Sequence, residues 1–114
     1  MNTTTPAYLR ILRLLEERPE ISQRELAGEI GASLGKTHYL LRALLDKGLV
    51  KMDNFRRHGN KLAYVYKLTP SGIAAKLSLM KEFLHQKEAE YVALHREIAE
   101  LRRELEPAAA EREP

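Results

Sequence analysis

The chain of 114 residues contains no cysteine and no tryptophan. Without cysteine it forms no disulfide and offers no thiolate to a metal ion, which fits a reducing cytoplasm. It also has no apolar run of about 18 residues, so we expect no membrane-spanning segment. Residues 1–10 lack the apolar core of a signal peptide.

Patterns typical of catalysis are missing as well. The sequence has no glycine-rich phosphate loop, and no carboxylate pair stands near a histidine in an arrangement typical of an active site. We therefore expect neither an enzyme nor a bound cofactor. His85 and Glu88 share one helical face and His95 follows along it, but a metal site there needs ligands from a second chain. Solvated histidines are the simpler interpretation.

Charge is distributed unevenly along the chain. Lys and Arg outnumber Asp and Glu by 19 to 16, yet residues 1–70 carry a net charge of +5 and residues 71–114 carry −2. A surface that binds a polyanion needs a net positive charge such as that of residues 1–70. An acidic helix, in contrast, is a poor partner for a phosphate backbone. The two parts of the chain are therefore expected to have different functions.

Two helices joined by a tight turn are predicted in the segment SQRELAGEIGASLGKTHYLLRALLDKGLV. Ser22 is placed to cap the first helix, and Glu25 completes a capping box. Gly31 interrupts the helical pattern, Ser33 is a capping residue for the second helix, and Gly48 ends it. This arrangement is typical of a helix-turn-helix, although an ordinary helical hairpin with a solvated polar face has the same pattern.

The second of these helices is amphipathic. Its apolar stripe comprises Leu34, Thr37, Leu40, Leu41, Leu44 and Leu45. The opposite, basic face offers Ser33, Lys36, His38, Tyr39 and Arg42. In a helix-turn-helix, the second helix lies in the major groove with its N-terminal residues near base edges, so DNA binding is the favoured function.

After Gly48 the period of the apolar residues changes from about 3.6 to 2, which predicts β-strands. We expect the strands over residues 49–55 and 62–69, joined by a loop at 56–61 with Gly-Asn at its tip. On the second strand the expected shared face is Leu62, Tyr64, Tyr66 and Leu68, with Val65 and Lys67 opposite. The loop carries three basic residues, Arg56, Arg57 and Lys61, placed to reach phosphates or the minor groove.

A long heptad repeat follows from Thr69-Pro70, a cap followed by a proline at the first helical position. One seam position is occupied by Leu77, Leu84, Tyr91, Ile98 and Leu105, and the other by Ile73, Met80, Lys87, Leu94 and Leu101. A repeat this long predicts a coiled coil with a second copy of the chain. In a parallel pair, Glu97 of one chain would face Arg102 of the other, and Glu90 would face His95. These opposite charges favour the parallel pair weakly, and an antiparallel or higher assembly stays open.

The predicted fold is mainly α with a small β-hairpin wing, an α+β winged helix-turn-helix, followed by a long C-terminal coiled-coil helix. The first helix is expected over residues 7–18. The DNA-binding domain is assigned to residues 7–69 and the dimerisation helix to 70–106. Flexible tails are expected at 1–6 and 107–114.

The helix-turn-helix segment, the basic wing and the motif LTPSGIAAK resemble the DNA-binding domain of MarR-type bacterial regulators. The resemblance covers about Tyr8 to Lys76, and the long last helix is similar to the short MarR-like group associated with exopolysaccharide (EPS) gene clusters. It implies a homodimer on double-stranded DNA. Residues implied to touch bases and phosphates are Ser33, Lys36, His38, Tyr39 and Arg42 on the second helix, and Arg56, Arg57 and Lys61 on the wing.

Full-length MarR proteins dimerise through extra helices at both ends and hold small aromatic ligands beside that interface. The N-terminal extension is missing here, so the resemblance leaves open whether this chain has a small-molecule effector. A second function stays open too: the winged helix as a protein-interaction module with a coiled-coil partner helix. The basic residues of the second helix and wing favour nucleic acid, and paired half-sites favour duplex DNA over RNA.

Overall fold

The computed structural model describes the backbone of residues 6–58 and 61–112, and the side chains of residues 6–53 and 64–107. Its elements are α1 (Ala7–Glu17), α2 (Gln23–Ile30), α3 (Leu34–Asp46), β1 (Val50–His58), β2 (Lys61–Leu68) and α4 (Pro70–Arg112). The chain divides into two compact units, Met1–Met80 and Lys81–Pro114. Three helices, an antiparallel hairpin and a long last helix confirm the predicted winged helix-turn-helix fold.

The helix ends are formed by the residues that the sequence marked. The Ser22 hydroxyl accepts a hydrogen bond from the Glu25 N–H, and the Glu25 carboxylate accepts one from the Ser22 N–H, so the capping box is complete. The Ser33 hydroxyl accepts a hydrogen bond from the Lys36 N–H. Gly31 and Gly48 have φ angles of 70° and 72°, the left-handed region where an added Cβ is strained.

The core of the first unit is built by α1, α2 and α3 with one face of the hairpin. Its buried members are Ile11, Leu12, Leu15, Ile21, Leu26, Leu40, Leu41, Leu44, Val50 and Tyr66. Thr37 is also fully buried, and its hydroxyl donates a 2.8 Å hydrogen bond to the Ser33 carbonyl. Burial of Thr37 therefore leaves its polar atom satisfied.

The hairpin differs from the predicted one in length. Arg56 and Arg57 belong to β1 and Lys61 begins β2, with Arg56 paired to Ala63 and Arg57 to Leu62. The expected loop at 56–61 is thus mostly strand, and the predicted Gly-Asn tip lies outside the described residues. The backbone hydrogen bonds of the antiparallel ladder thus continue past the residues assigned to the loop.

The burial along β2 is uneven. Tyr64 and Tyr66, predicted to share a face, have ring centres 6.3 Å apart, but Tyr66 is buried and Tyr64 is 43% exposed. Val65, predicted on the opposite face, is only 4% exposed. In β1 the register shifts between Met52 and Asn54, so Asp53 has no partner across the ladder. A bulge of this kind bends and twists the strand that carries it.

The start of α4 is held tightly against the turn that ends α3. The Thr69 hydroxyl donates a 2.6 Å hydrogen bond to the Gly48 carbonyl and accepts one from the Gly72 N–H. The Thr69 N–H donates to the Leu49 carbonyl at 3.1 Å. Gly72 lies so close to Leu49 that an added Cβ would overlap the carbonyl oxygen of that residue.

The helix α4 is longer than predicted. It continues through Pro107 to Arg112, whereas the sequence predicts an end at Glu106. Proline removes one backbone hydrogen bond, but the alanines, glutamate and arginine that follow are strong helix formers. In residues 6–58 and 61–112, no helix is both long and apolar enough to cross a membrane.

Replacing Gly72 by alanine tests the close approach between α4 and Leu49. We expect Gly72→Ala to lower the free energy of unfolding by about 1–3 kcal/mol, because backbone must shift to make room for the methyl group. Gly28→Ala is the matched control, since a Cβ on Gly28 meets no described atom within 4 Å. It should stabilise α2 by about 0.5–1 kcal/mol. Urea unfolding of both variants measures the difference, and equal effects would contradict the packing.

Candidate nucleic-acid interface

The polar face of α3 is fully presented to solvent by the burial of the opposite face. Thr37, Leu40, Leu41 and Leu44 are buried, and these positions recur every three or four residues along the helix. The five side chains predicted to bind DNA, Ser33, Lys36, His38, Tyr39 and Arg42, are all exposed. Tyr39 is 66% exposed.

Each long side chain of this face has a local partner that could be exchanged for a ligand. The Lys36 ammonium lies 5.8 Å from the centre of the Tyr39 ring. His38 Nδ1 is 3.3 Å from Gln23 Oε1 on α2. Arg42 Nε is 3.4 Å from Asp46 Oδ1, and both side chains are more than two-thirds exposed. Exposed contacts of this kind contribute little to the free energy of folding, so a DNA phosphate or base can replace them at small cost.

The sequence placed Leu34 in the buried stripe of α3, and this is wrong. Leu34 is 46% exposed. It lies at the margin of the stripe, four residues before His38 and eight before Arg42, and so begins the row formed by those two side chains. The apolar period alone does not reveal how far the other elements cover the stripe.

Beside α3, the predicted wing is described by its backbone only. Arg56, Arg57 and Lys61 lie on the two strands next to the hairpin tip, and their side chains lie outside the described part of the chain. Nearer the base of the hairpin, Lys67 Nζ is 3.8 Å from Asp53 Oδ2. The assignment of the three basic residues to DNA therefore stays a prediction.

On α4, every predicted dimerisation residue is exposed in the single chain. The seven side chains are Leu77, Leu84, Tyr91, Leu94, Ile98, Leu101 and Leu105. Their exposed fractions run from 41% at Ile98 to 69% at Leu105. The start of α4 belongs to the first unit: Leu79 packs against its core, and Lys76 forms an ion pair with Glu16.

The one polar seam residue, Lys87, has partners on its own helix. Its ammonium lies 3.1 Å from Glu90 Oε2 and 5.2 Å from the centre of the Phe83 ring. The rings of Tyr91 and His95 lie with their centres 6.1 Å apart and their planes tilted by 36°. His85 Nδ1 is 3.9 Å from Glu88 Oε1. No group of three His, Cys, Asp or Glu that could hold a metal is found among the described residues.

One carboxyl group of the helix-turn-helix has a shifted pKa. The pKa of Glu25 is lowered, chiefly because its carboxylate accepts the Ser22 N–H in the capping box, with help from the Ser22 side chain and the Arg18 guanidinium. Arg18 also reaches Glu29, at 3.5 Å. These ion pairs join the residue that follows α1 to α2, and all three side chains are about half exposed.

Comparison with known proteins identifies a similarity to DNA-binding helix-turn-helix domains. Residues 9–51 match the family model described as winged helix-turn-helix DNA-binding. The matched segment runs from α1 through α3 to the start of β1. No curated protein matches the chain.

Several solved structures share the fold. A MarR family protein of Mycobacterium tuberculosis in complex with salicylic acid is 24% identical, with a TM-score of 0.60 over 90% of this chain and 75% of that chain. MepR, a transcription regulator of the Staphylococcus aureus multidrug efflux pump MepA, is 18% identical, with a TM-score of 0.59 over 97% and 82%. A Listeria innocua protein with unknown function is 20% identical, with a TM-score of 0.61 over 97% and 76%. At these identities the likeness is one of fold.

Substitution of Glu25 by glutamine tests the capping box through its pH dependence. A lowered pKa means that the stabilisation by the carboxylate is complete above the ordinary pKa of a glutamate and is lost as the pH falls through the lowered value. We therefore expect Glu25→Gln to be less stable than the wild type at pH 7. The difference should disappear in acid. Urea unfolding at a series of pH values measures it, and a difference independent of pH would contradict the assignment.

Proposed function

We propose that this chain is a transcription regulator of the MarR type that binds duplex DNA as a homodimer. The observation that carries the proposal is the exposed, basic face of α3, set within a helix-turn-helix that matches a DNA-binding family model. The net charge of +5 over residues 1–70 supports it, because a phosphate backbone attracts such a surface over long range.

In the proposed complex, α3 lies in the major groove with its first turns at the base edges. Lys36 and Arg42 supply positive charge, and Ser33, His38 and Tyr39 supply hydrogen-bonding groups. Ser33 already accepts a bond from the Lys36 N–H, so its hydroxyl proton remains available as a donor to phosphate. The wing residues Arg56, Arg57 and Lys61 would contact the flanking backbone.

The proposed dimer forms through the exposed seam of α4. Leucine and isoleucine side chains that are about half exposed in one chain would be removed from water by the same side chains of a second copy. A parallel pair would place Glu97 near Arg102 of the other copy. Two recognition helices would then read two half-sites, separated by about 34–36 Å or a multiple of one helical turn.

Gene targets follow only from the sequence resemblance. The short MarR-like group that the chain resembles is associated with EPS clusters, so exopolysaccharide genes are the first targets to test. The cytoplasm is the compartment in which we expect the protein to act, since its proposed ligand is genomic DNA.

The role of Arg42 can be separated from that of a simple phosphate contact. If Arg42 reads a base, Arg42→Ala should weaken binding to the preferred duplex by about 1–3 kcal/mol and relax the sequence preference at one position. Arg42→Lys should fail to restore that preference, because lysine keeps the charge but loses the planar fork. Lys61→Ala should instead weaken binding to all sequences alike and flatten the salt dependence.

These variants are compared by fluorescence anisotropy on the preferred duplex and on an unrelated duplex of the same length. Asp46→Asn provides the opposite change. It removes the acidic partner of Arg42 and should raise affinity. If none of these variants alters DNA binding, the proposed surface is wrong, and the protein-interaction module becomes the better interpretation.

A charge placed in the seam of α4 tests the dimer. Leu94→Glu or Ile98→Glu should give a monomer with much weaker operator affinity, because a buried unpaired carboxylate costs several kcal/mol. Val92→Glu is the matched control: Val92 is 54% exposed on the same helix but lies outside the seam. Sedimentation velocity measures the assembly. Seam variants that remain dimeric would contradict the coiled coil.

A further inference from the structure

Gly35 stands in the first turn of α3, and nothing in the described part of the chain requires a glycine there. Glycine in a helix is less favourable than alanine because it loses more backbone freedom on folding. The φ angle of Gly35 is not positive, and an added Cβ would meet no described atom within 4 Å. Neither backbone conformation nor packing against the described residues therefore requires glycine at this position.

Gly31 and Gly72 differ from Gly35 in this respect. Gly31 has a positive φ that ends α2, and Gly72 has the Leu49 carbonyl where its Cβ would be. Each is explained by the chain itself. For Gly35 the remaining physical reason is the close approach of another molecule to the helix backbone.

Leu34, next to Gly35, is a large apolar side chain presented at the same end of the helix. It is 46% exposed, although the neighbouring stripe of α3 is buried. It also begins the row that continues through His38 to Arg42, which is the face assigned to the major groove. An apolar group among charged ones on such a face has one natural counterpart in DNA, the 5-methyl group of thymine.

We propose that the first turn of α3 reads a thymine, with Leu34 packed on the 5-methyl group and Gly35 leaving room for the helix backbone to approach the base edge. The proposal rests on the proposed function, since it names a base that the DNA-binding face recognises. It assigns Leu34 and Gly35 a role in specificity that the charged residues of α3 do not fill.

The thymine contact is tested by removing the methyl group from the DNA. The full-length chain is used to select its preferred duplex from a random-sequence library, and each thymine of that duplex is then replaced singly by deoxyuridine. At one position per half-site the dissociation constant should rise about fourfold, the weight of one buried methyl group. Other thymines should tolerate the change.

Combining Leu34→Ala with the deoxyuridine replacement gives a double-mutant cycle between the side chain and the methyl group. The variant should bind the thymine duplex several-fold more weakly than the wild type, and it should bind the deoxyuridine duplex almost as well as the thymine duplex. Loss of sensitivity at that one position distinguishes a direct contact from general weakening. A Leu34→Ala variant that keeps the full sensitivity to deoxyuridine would overturn the proposal.

Gly35→Ala separates recognition from stability, with Gly28→Ala as its control. Both glycines are helical, and neither has a described atom within 4 Å of an added Cβ. Both substitutions should therefore raise the melting temperature by about 2–5 °C. Only Gly35→Ala should weaken binding to the preferred duplex, by about tenfold, because its methyl group would separate the helix from the base edges.

The outcomes distinguish this inference from the function on which it rests. If the selection yields no preferred duplex, the proposed function fails. If a duplex is selected but Gly35→Ala binds it as tightly as the wild type does, the close approach at Gly35 is refuted while DNA binding stands. If no single thymine-to-deoxyuridine replacement changes the affinity, the thymine contact of Leu34 is refuted while DNA binding stands.

Discussion

The structure depends on the burial of one stripe of α3. Thr37, Leu40, Leu41 and Leu44 are fixed in the core by α1, α2 and the hairpin, and Thr37 is held there by its bond to the Ser33 carbonyl. Because an α-helix has 3.6 residues per turn, fixing one stripe fixes the direction of every other side chain on the helix. The exposed basic face is thus a direct consequence of the core.

Both ends of α3 are fixed as well. At its start the Ser33 hydroxyl accepts the Lys36 N–H, and at its end Gly48 turns the chain with a positive φ. The carbonyls of Gly48 and Leu49 then accept hydrogen bonds from Thr69, and Gly72 lets the first turn of α4 approach Leu49 closely. The turn that ends the proposed recognition helix is therefore also the support on which the proposed dimerisation helix begins.

Much of this was visible in the sequence because local signals and the global fold agree. Ser22 with Glu25, Ser33, Gly48 and Thr69-Pro70 mark helix ends by side-chain chemistry that acts within four residues, and the structure has helix ends at those positions. The heptad repeat predicted an apolar seam on α4, and the seven predicted dimerisation residues are exposed in the single chain.

The sequence predicted less where the outcome depends on tertiary geometry. The bulge at Asp53 has no local signal in the sequence, and the period of β2 does not reveal that Val65 is buried while Tyr64 is exposed. Leu34 has the correct period for the core but is 46% exposed, because a period does not reveal how far the other elements cover the helix. The continuation of α4 past Pro107 reflects strong helix formers after the proline, which outweigh one lost hydrogen bond.

The central proposal is that the exposed face of α3 binds duplex DNA. The most direct test is fluorescence anisotropy of the whole chain with labelled genomic fragments, including the region upstream of its own gene, at several salt concentrations. We predict affinity that falls steeply with salt and one fragment that stays bound at high salt. Absence of binding even at low salt would contradict the account.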